Sequence, residues 1–325
     1  MKIKKRITVV LCSLITALLF PLIVSAAGSI DTGREVQLNI SYQDEAVALS
    51  GAAFDIYRVA SVDESGELTP VAPFEQYHVE IRGKNDAAWK TLASTLEGYV
   101  LRDNITPADS GTTDEQGILT FPNQTKRLEQ GLYLVLGHRH TQGGRIYEAA
   151  SSMVLLPTQD KDKNDWLYEI TVDPKHASQP EPGDNTTTRK VLKVWKDEGH
   201  EKNRPGEILI QLLQDGKVYD TVKLNAANNW RYTWEALDEQ HTWTVVEKEL
   251  ENYTVTVTGE GITFVVTNTY SGDNSNTPPP TDSGKDPNLP QTGQLWWPVP
   301  LLLCGGLLMI IVGLLRRRSG MNAKK

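Results

Sequence analysis

The stretch Val191-Leu192-Lys193-Val194-Trp195-Lys196-Asp197 sets the pattern for the second half of this 325-residue chain. Alternate residues of a strand share a face, so Val191, Lys193 and Trp195 point to the same side. Further apolar stretches separated by turn residues follow: Ile208-Leu209-Ile210-Gln211-Leu212, Val222-Lys223-Leu224, Trp243-Thr244-Val245-Val246-Glu247 and Thr267-Asn268-Thr269-Tyr270. Short strands at regular spacing are typical of a β-sandwich, which we predict for residues 189–271.

Three polar residues fall on the apolar faces of these predicted strands. Lys193 shares its face with Val191, Glu247 shares its face with Val245, and Asn268 follows Val266 on a common face. Buried polar groups destabilise a core unless they are paired. Either the three side chains pair with one another, or they occupy edge positions and extend to water.

The same region resembles a known domain family. Lys193-Val194-Trp195, Arg204-Pro205, Asn228-Asn229-Trp230 and the closing residues 267–270 are similar to the Cna B-type (inverse immunoglobulin) domains of Gram-positive surface proteins. The resemblance implies an intramolecular isopeptide bond between Lys193 and Asn268, assisted by the carboxyl group of Glu247. Burial lowers a lysine pKa and raises a glutamate pKa, so a neutral amine and a proton-shuttling acid can coexist. This would be a single self-reaction, so we predict no enzyme.

Residues 29–176 form a first predicted domain. Val36, Leu38, Ile40 and Tyr42 alternate with polar residues as in a half-buried strand. A helix is predicted after Asn85 and Asp86, and its apolar face contains Trp89, Leu92, Leu96 and Tyr99 or Val100. The stretches 113–121 (TDEQGILTF) and 131–135 (GLYLV) also resemble Cna B-type domains. We therefore expect a mainly β chain with two immunoglobulin-like sandwiches, the first with a helical insertion. The first strand of this domain lacks the lysine needed for an isopeptide bond.

The first domain ends on Trp166-Leu167-Tyr168-Glu169-Ile170-Thr171-Val172-Asp173-Pro174-Lys175. This stretch resembles the pilin motif of sortase-assembled pili, although Asp173 stands where the motif usually has tyrosine. The resemblance implies that Lys175 is the nucleophile that joins one subunit to the next. Proline stops a strand ladder, which would leave Lys175 at the domain edge. The alternative is a solvated lysine at the start of a linker, which we predict over residues 177–188.

The C-terminal residues 289–325 follow a predicted Pro-rich spacer at 272–288 and contain three features in order. They begin with Leu289-Pro290-Gln291-Thr292-Gly293 and continue with an apolar run over 295–315. They end with a ten-residue tail that contains five basic residues. The apolar run is long enough to cross a hydrocarbon layer of ~30 Å, as an ordinary single-pass anchor would. The complete order resembles the cell-wall sorting signal of Gram-positive surface proteins. In that family sortase cleaves between the threonine and the glycine and transfers the Thr292 carbonyl to an amine.

The N-terminus has a basic start, an apolar run and small residues, which predicts a signal peptide over residues 1–26 with cleavage after Ala26 or Ala27. Removing both ends takes nine of the 33 basic residues and none of the 41 acidic ones, leaving a net charge of −17. Such a chain is a poor ligand for nucleic acid. The two cysteines, Cys12 and Cys304, lie in the removed segments, so disulfides cannot stabilise the mature protein.

The sequence contains no hydrolase, metalloprotease or phosphate-loop motif, and we expect no cofactor. His138 and His140 could share a strand face, but no third metal ligand is evident, so we predict no metal site. The predicted function is a secreted, cell-wall-anchored pilus subunit, either a shaft or an accessory or basal pilin. Its partners would be sortase, other pilin subunits, peptidoglycan and a host surface protein, with no nucleic acid. The alternative is a monomeric adhesin linked directly to peptidoglycan.

Overall fold

The structure is a computed structural model that describes residues 28–82, 85–160, 165–181, 183 and 185–272. The predicted signal peptide, the spacer from residue 273 onward and the sorting signal with its apolar run at 295–315 lie outside the described residues. Within the described part of the chain, no helix is long and apolar enough to cross a membrane.

The described residues are mainly β and include a long helix, α1 (Asp86–Asp103). The strands of the N-terminal domain are β1 (Gln37–Ser41), β2 (Gln43–Asp44), β3 (Val47–Ala48), β4 (Ala53–Val62), β5 (Leu68–Pro70), β6 (Asp109–Thr112), β7 (Ile118–Phe121), β8 (Gly131–Gly137), β9 (His140–Gln142), β10 (Arg145–Ala149), β11 (Ser152–Leu156), β12 (Thr158–Asp160), β13 (Asp165–Leu167), β14 (Glu169–Val172) and β15 (His176–Pro180). Those of the second domain are β16 (Thr186–Lys196), β17 (Glu207–Gln214), β18 (Lys217–Asn225), β19 (Arg231–Asp238), β20 (Trp243–Glu247), β21 (Tyr253–Glu260) and β22 (Thr263–Tyr270). Short 3-10 turns occur at Phe74–Gln76, Glu201–Asn203 and Ala226–Asn228.

The N-terminal domain packs two main sheets against each other. One has the order β14-β1-β7 and the other the order β11-β8-β4-β5, with β6 also paired to β4. The alternation predicted for the first strand is present, because Val36, Leu38, Ile40 and Tyr42 are all buried. Gly117 has a φ of 75°, which agrees with the predicted turn before β7.

The segment predicted as a linker, residues 177–188, is largely in strands. Strand β15 pairs antiparallel with β10, from Ala149 opposite His176 to Arg145 opposite Pro180. Thr186 already belongs to β16. β-branched threonines favour extended backbone, and a proline is tolerated at the end of an edge strand. Only residues 181–185 therefore separate the strands of the two domains.

Helix α1 begins where the sequence predicts. The side chain of Asn85 caps the helix by accepting a hydrogen bond from Ala88 N at 2.9 Å, and Asn104 ends it with a left-handed φ of 50°. The helix is buried on more than its apolar face, since Thr95 and Gly98 are buried as well. The apolar face packs on β8 and β11 of its own domain, and the second face lies against β20 and β21 of the other domain.

The second domain is a sandwich of a four-stranded and a three-stranded sheet. Their orders are β19-β16-β22-β21 and β18-β17-β20. The first strand, β16, runs parallel to the last strand, β22, with Lys193 opposite Val266 and Trp195 opposite Asn268. Strands β21 and β20 form one edge of each sheet. Helix α1 contacts both, so the apolar core of the second domain is continuous with that of the helix.

Candidate functional site

The second domain brings together the three polar residues that the sequence placed on apolar faces. Lys193 comes from β16 and Asn268 from the adjacent β22, while Glu247 ends β20 in the opposite sheet. The exposed fractions are 4% for Lys193, 1% for Glu247 and 1% for Asn268, which excludes the alternative of edge side chains extending to water.

Glu247 lies between the other two side chains and faces each with a different oxygen. Its Oε1 accepts a hydrogen bond from Asn268 Nδ2 at 2.6 Å. Its Oε2 is 3.5 Å from Lys193 Nζ. The lysine Nζ donates hydrogen bonds to the carbonyl oxygens of Val194 at 3.2 Å and Val266 at 3.4 Å. One carboxyl group thus touches both the amine and the side-chain amide nitrogen.

Two atoms of this group are buried without a hydrogen bond. Within the described residues, Glu247 Oε2 and Asn268 Oδ1 have no hydrogen-bond partner. An unsatisfied buried polar atom costs about 1–3 kcal/mol, so such atoms are rare in native cores. Stability alone therefore does not explain why this core holds a lysine, a glutamate and an asparagine.

The environment of Lys193 and Glu247 favours the neutral form of each side chain. Burial, opposed by the nearby carboxylates of Glu247 and Asp197, lowers the pKa of Lys193 to about 8. Burial also raises the pKa of Glu247 above its ordinary value, despite the proximity of Lys193 and Asn268. Near neutral pH the amine is neutral far more often than an exposed lysine, and the carboxyl group can hold a proton. The arrangement therefore contains a usable nucleophile, a proton carrier and an amide.

A second polar group lies beside this site and was not singled out in the sequence. Asp197 is 3% exposed, binds Arg204 through both carboxylate oxygens, and accepts a hydrogen bond from Tyr253 at 3.3 Å. The guanidinium of Arg204 keeps the pKa of Asp197 below its usual range. The ring of Trp195 lies 4.3 Å from Lys193 Nζ and 5.6 Å from Arg204 Cζ. The Arg204-Pro205 pair in the sequence was a sign of this contact, but its acidic partner had no distinguishing pattern.

Lys175 is not near the buried site. It is exposed, between the end of β14 and the start of β15, and its carbonyl oxygen accepts a hydrogen bond from Ala150 N at 2.7 Å. Tyr168, Ile170 and Val172 before it are buried, as the alternation predicts. Strand β14 ends at Val172, two residues before Pro174, and the chain then enters β15 at His176 instead of a linker.

The remaining candidates from the sequence are the sorting motif and the two histidines. Leu289, Pro290, Gln291, Thr292 and Gly293 lie outside the described residues. His138 Nε2 lies 2.8 Å from Asp55 Oδ2, and His140 Nε2 lies 3.2 Å from Gln142 Oε1. Among the described residues, no cluster of three or more histidine, cysteine or acidic residues is arranged to hold a metal ion.

Comparisons with known proteins identify both domains. Residues 22–177 match the family of the Gram-positive pilin subunit D1, N-terminal domain, and residues 189–269 match the Cna protein B-type domain. A collagen adhesin of Staphylococcus aureus is 32% identical in a 155-residue alignment that covers 44% of this chain and 13% of that protein. The chain thus spans only a small part of that relative's length.

The solved structures to which this chain is similar include pilins. The full-length major pilin SpaD of Corynebacterium diphtheriae aligns with 14% identity over 74% of this chain and 65% of its own, with a TM-score of 0.31. The full-length major pilin RrgB of Streptococcus pneumoniae aligns with 11% identity over 73% and 66%, with a TM-score of 0.23. These whole-chain superpositions are weak, and the two domain matches carry the relationship.

Proposed function

This chain joins a Gram-positive pilin D1 domain to a Cna B-type domain, and we propose that it is a pilus subunit cross-linked internally between Lys193 and Asn268. Pilins and adhesins with such domains are non-enzymatic proteins of the cell surface. The observation that carries the proposal is the buried contact of Glu247 with both Lys193 and Asn268.

The proposed isopeptide formation needs only the three side chains and releases one ammonia. The neutral Nζ of Lys193 attacks Cγ of Asn268, the Nζ–Cγ bond forms, and the Cγ–Nδ2 bond breaks. Glu247 takes a proton from Nζ and delivers a proton to Nδ2, which leaves as ammonia. The 2.6 Å hydrogen bond between Nδ2 and Oε1 already holds the leaving group against the group that must protonate it. The reaction happens once per molecule.

We also propose that sortase acts on two positions of this subunit, Thr292 and Lys175. Cleavage after Thr292 would give an acyl group, and the amine of Lys175 in a neighbouring copy would accept it. The exposure of Lys175 within the region that matches pilin D1 supports this role. The product would be a covalent polymer on the cell wall, with this chain as a shaft, accessory or basal subunit. Transfer to peptidoglycan would anchor the polymer.

The alternative is a monomeric adhesin that sortase attaches directly to peptidoglycan. The match to a collagen adhesin favours this class, but it covers only 13% of that protein, so we infer no collagen binding from it. The two functions differ in whether Lys175 accepts another subunit.

Replacing the acceptor lysine separates the two functions. For a shaft subunit, Lys175→Arg should abolish the ladder of covalent polymers that cell-wall extracts give in boiling detergent, while the protein stays on the surface. For a basal subunit, it should detach shafts without shortening them. Lys190→Arg, on an exposed lysine of β16, is the matched control and should change nothing. A wild-type protein that runs as one band of monomer size would contradict the polymer and favour the adhesin. Covalent linkages that are all unchanged in Lys175→Arg would exclude Lys175 as the acceptor.

A further inference from the structure

Helix α1 of the pilin domain closes the side of the Cna B-type domain on which Glu247 lies. The two sheets of that sandwich end at β20 and β21, which are neighbouring edge strands. Edge strands leave backbone groups unpaired and allow water to approach. The helix lies against both strands, so it covers the gap between the two sheets.

The contacts with β20 leave no free space. A Cβ atom built on Gly98 would lie 2.8 Å from Val246 Cγ2 and 3.2 Å from the carbonyl oxygen of Val245. Only glycine allows the helix to approach this closely. Val245 and Val246 directly precede Glu247 in the same strand, so the helix presses on the strand that carries the proton carrier.

The free edge of β21 is hydrogen-bonded both by α1 and by the segment of the pilin domain that precedes it. Thr95 Oγ1 accepts from Val257 N at 2.9 Å, and the carbonyl oxygen of His78 accepts from Val255 N at 3.0 Å. Arg102 pairs with Glu249 at 2.8 Å, two residues beyond Glu247. The hydroxyl of Tyr99, the residue after Gly98, is buried, and within the described residues it has no hydrogen-bond partner. The interface is thus built from specific polar contacts as well as apolar packing.

We infer that α1 is a positioning element for the cross-link, because by docking on β20 and β21 it excludes water from Glu247 and Lys193. The inference rests on the proposed isopeptide reaction. It means that the Cna B-type domain cross-links efficiently only after the pilin domain has folded against it. The residues that position the site through this contact are Thr95, Gly98 and Arg102, none of which touches the reacting atoms.

A change in water access has a defined effect on the reaction. Burial is the largest cause that lowers the pKa of Lys193 and raises that of Glu247. The charged and titratable groups around the pair are Asp197 and Arg204 after β16, Glu249 after β20, and Tyr99 and Arg102 on α1. Removing the helix would hydrate the pair and move the lysine pKa upward toward its ordinary value of 10.5. Each unit of that rise lowers the neutral amine about tenfold at a fixed neutral pH.

The test uses the whole mature chain, produced as insoluble aggregates and dissolved in denaturant before it has folded and reacted, and then refolded at a series of pH values. Intact mass followed over time gives the rate of ammonia loss. Gly98→Leu introduces a clash with β20 but strengthens the helix itself, since leucine is a better helix former than glycine. Ala87→Leu, on an exposed position of the same helix, is the matched control. Hydrogen exchange at the amide of Val257 reports whether α1 is docked, and exchange at the amide of Val255 reports whether the segment before the helix is docked with it.

We expect Gly98→Leu to expose the two amides, to slow ammonia loss at neutral pH by at least about tenfold, and to shift the rate profile to higher pH. Raising the pH should restore the rate, which a merely misfolded domain would not show. If the single substitution leaves the amides protected, the double variant Gly98→Leu/Thr95→Val takes its place. Exposed amides with an unchanged rate and pH profile would overturn the inference. Absence of ammonia loss from the wild type at every pH would instead overturn the proposed cross-link.

Discussion

The two domains share an arrangement of their first and late strands but fill it with different residues. In the pilin domain β1 runs parallel to β14, with Leu38 opposite Ile170 and Ile40 opposite Val172. In the Cna B-type domain β16 runs parallel to β22 in the same way. Asn268 lies two residues beyond Val266, the residue directly opposite Lys193. Val172 lies in the same way two residues beyond Ile170, the residue directly opposite Leu38. The first domain thus closes its sheet by apolar packing, and the second offers the residues of a covalent bond.

Parallel pairing of the first strand with a late strand therefore does not by itself predict the cross-link. Parallel pairing of the two terminal strands brings a diagonal pair of side chains together in both domains. A reaction further needs an amine, an amide and a carboxyl group between them in a dry core. Glu247 supplies the last from the opposite sheet. Leu38 and Val172 of the pilin domain are aliphatic, so we expect no such bond between β1 and β14.

The largest expected effect comes from removing the amine. In the secreted chain, Lys193→Met should prevent the cross-link and destabilise the second domain by roughly 4 kcal/mol, because the bond closes most of that domain into one loop in the unfolded state. Urea unfolding and trypsin digestion measure the loss. Lys190→Met, at an exposed position of the same strand, should leave stability and mass loss unchanged. Equal stability of the two variants would mean that no bond contributes.

A second substitution tests the other domain at the corresponding position. Leu38 is fully buried, so Leu38→Lys places an unpaired charge in an apolar core and should destabilise the pilin domain by about 3–5 kcal/mol. Gln37→Lys, on the more exposed face of the same strand, should change stability by less than about 0.5 kcal/mol. Urea unfolding compares the two. A tolerated lysine at position 38 would show that apolar packing there is not what holds β1 and β14 together.

The sequence predicted the parts of the fold that depend on local patterns. The alternation of apolar and polar residues identified β1, and the cap at Asn85 identified the start of α1. The rule that alternate residues of a strand share a face placed Lys193, Glu247 and Asn268 in the core. The sequence did not predict that α1 packs against both domains. The second buried face of the helix contains Thr95 and Gly98, which are not apolar residues and so do not extend the pattern of apolar positions. Composition also suggested a linker over residues 177–188, although pairing of β15 with β10 orders much of it. Both features depend on contacts between distant segments.

The mass of the wild-type secreted chain shows directly whether Lys193 and Asn268 are cross-linked. Intact-mass spectrometry should find it lighter than its sequence by one ammonia. Peptide fragmentation should then locate a bond between Lys193 and Asn268, with no cross-link in the pilin domain. Glu247→Ala should restore the full mass. A wild-type chain of full sequence mass, or a cross-link at other residues, would contradict the account.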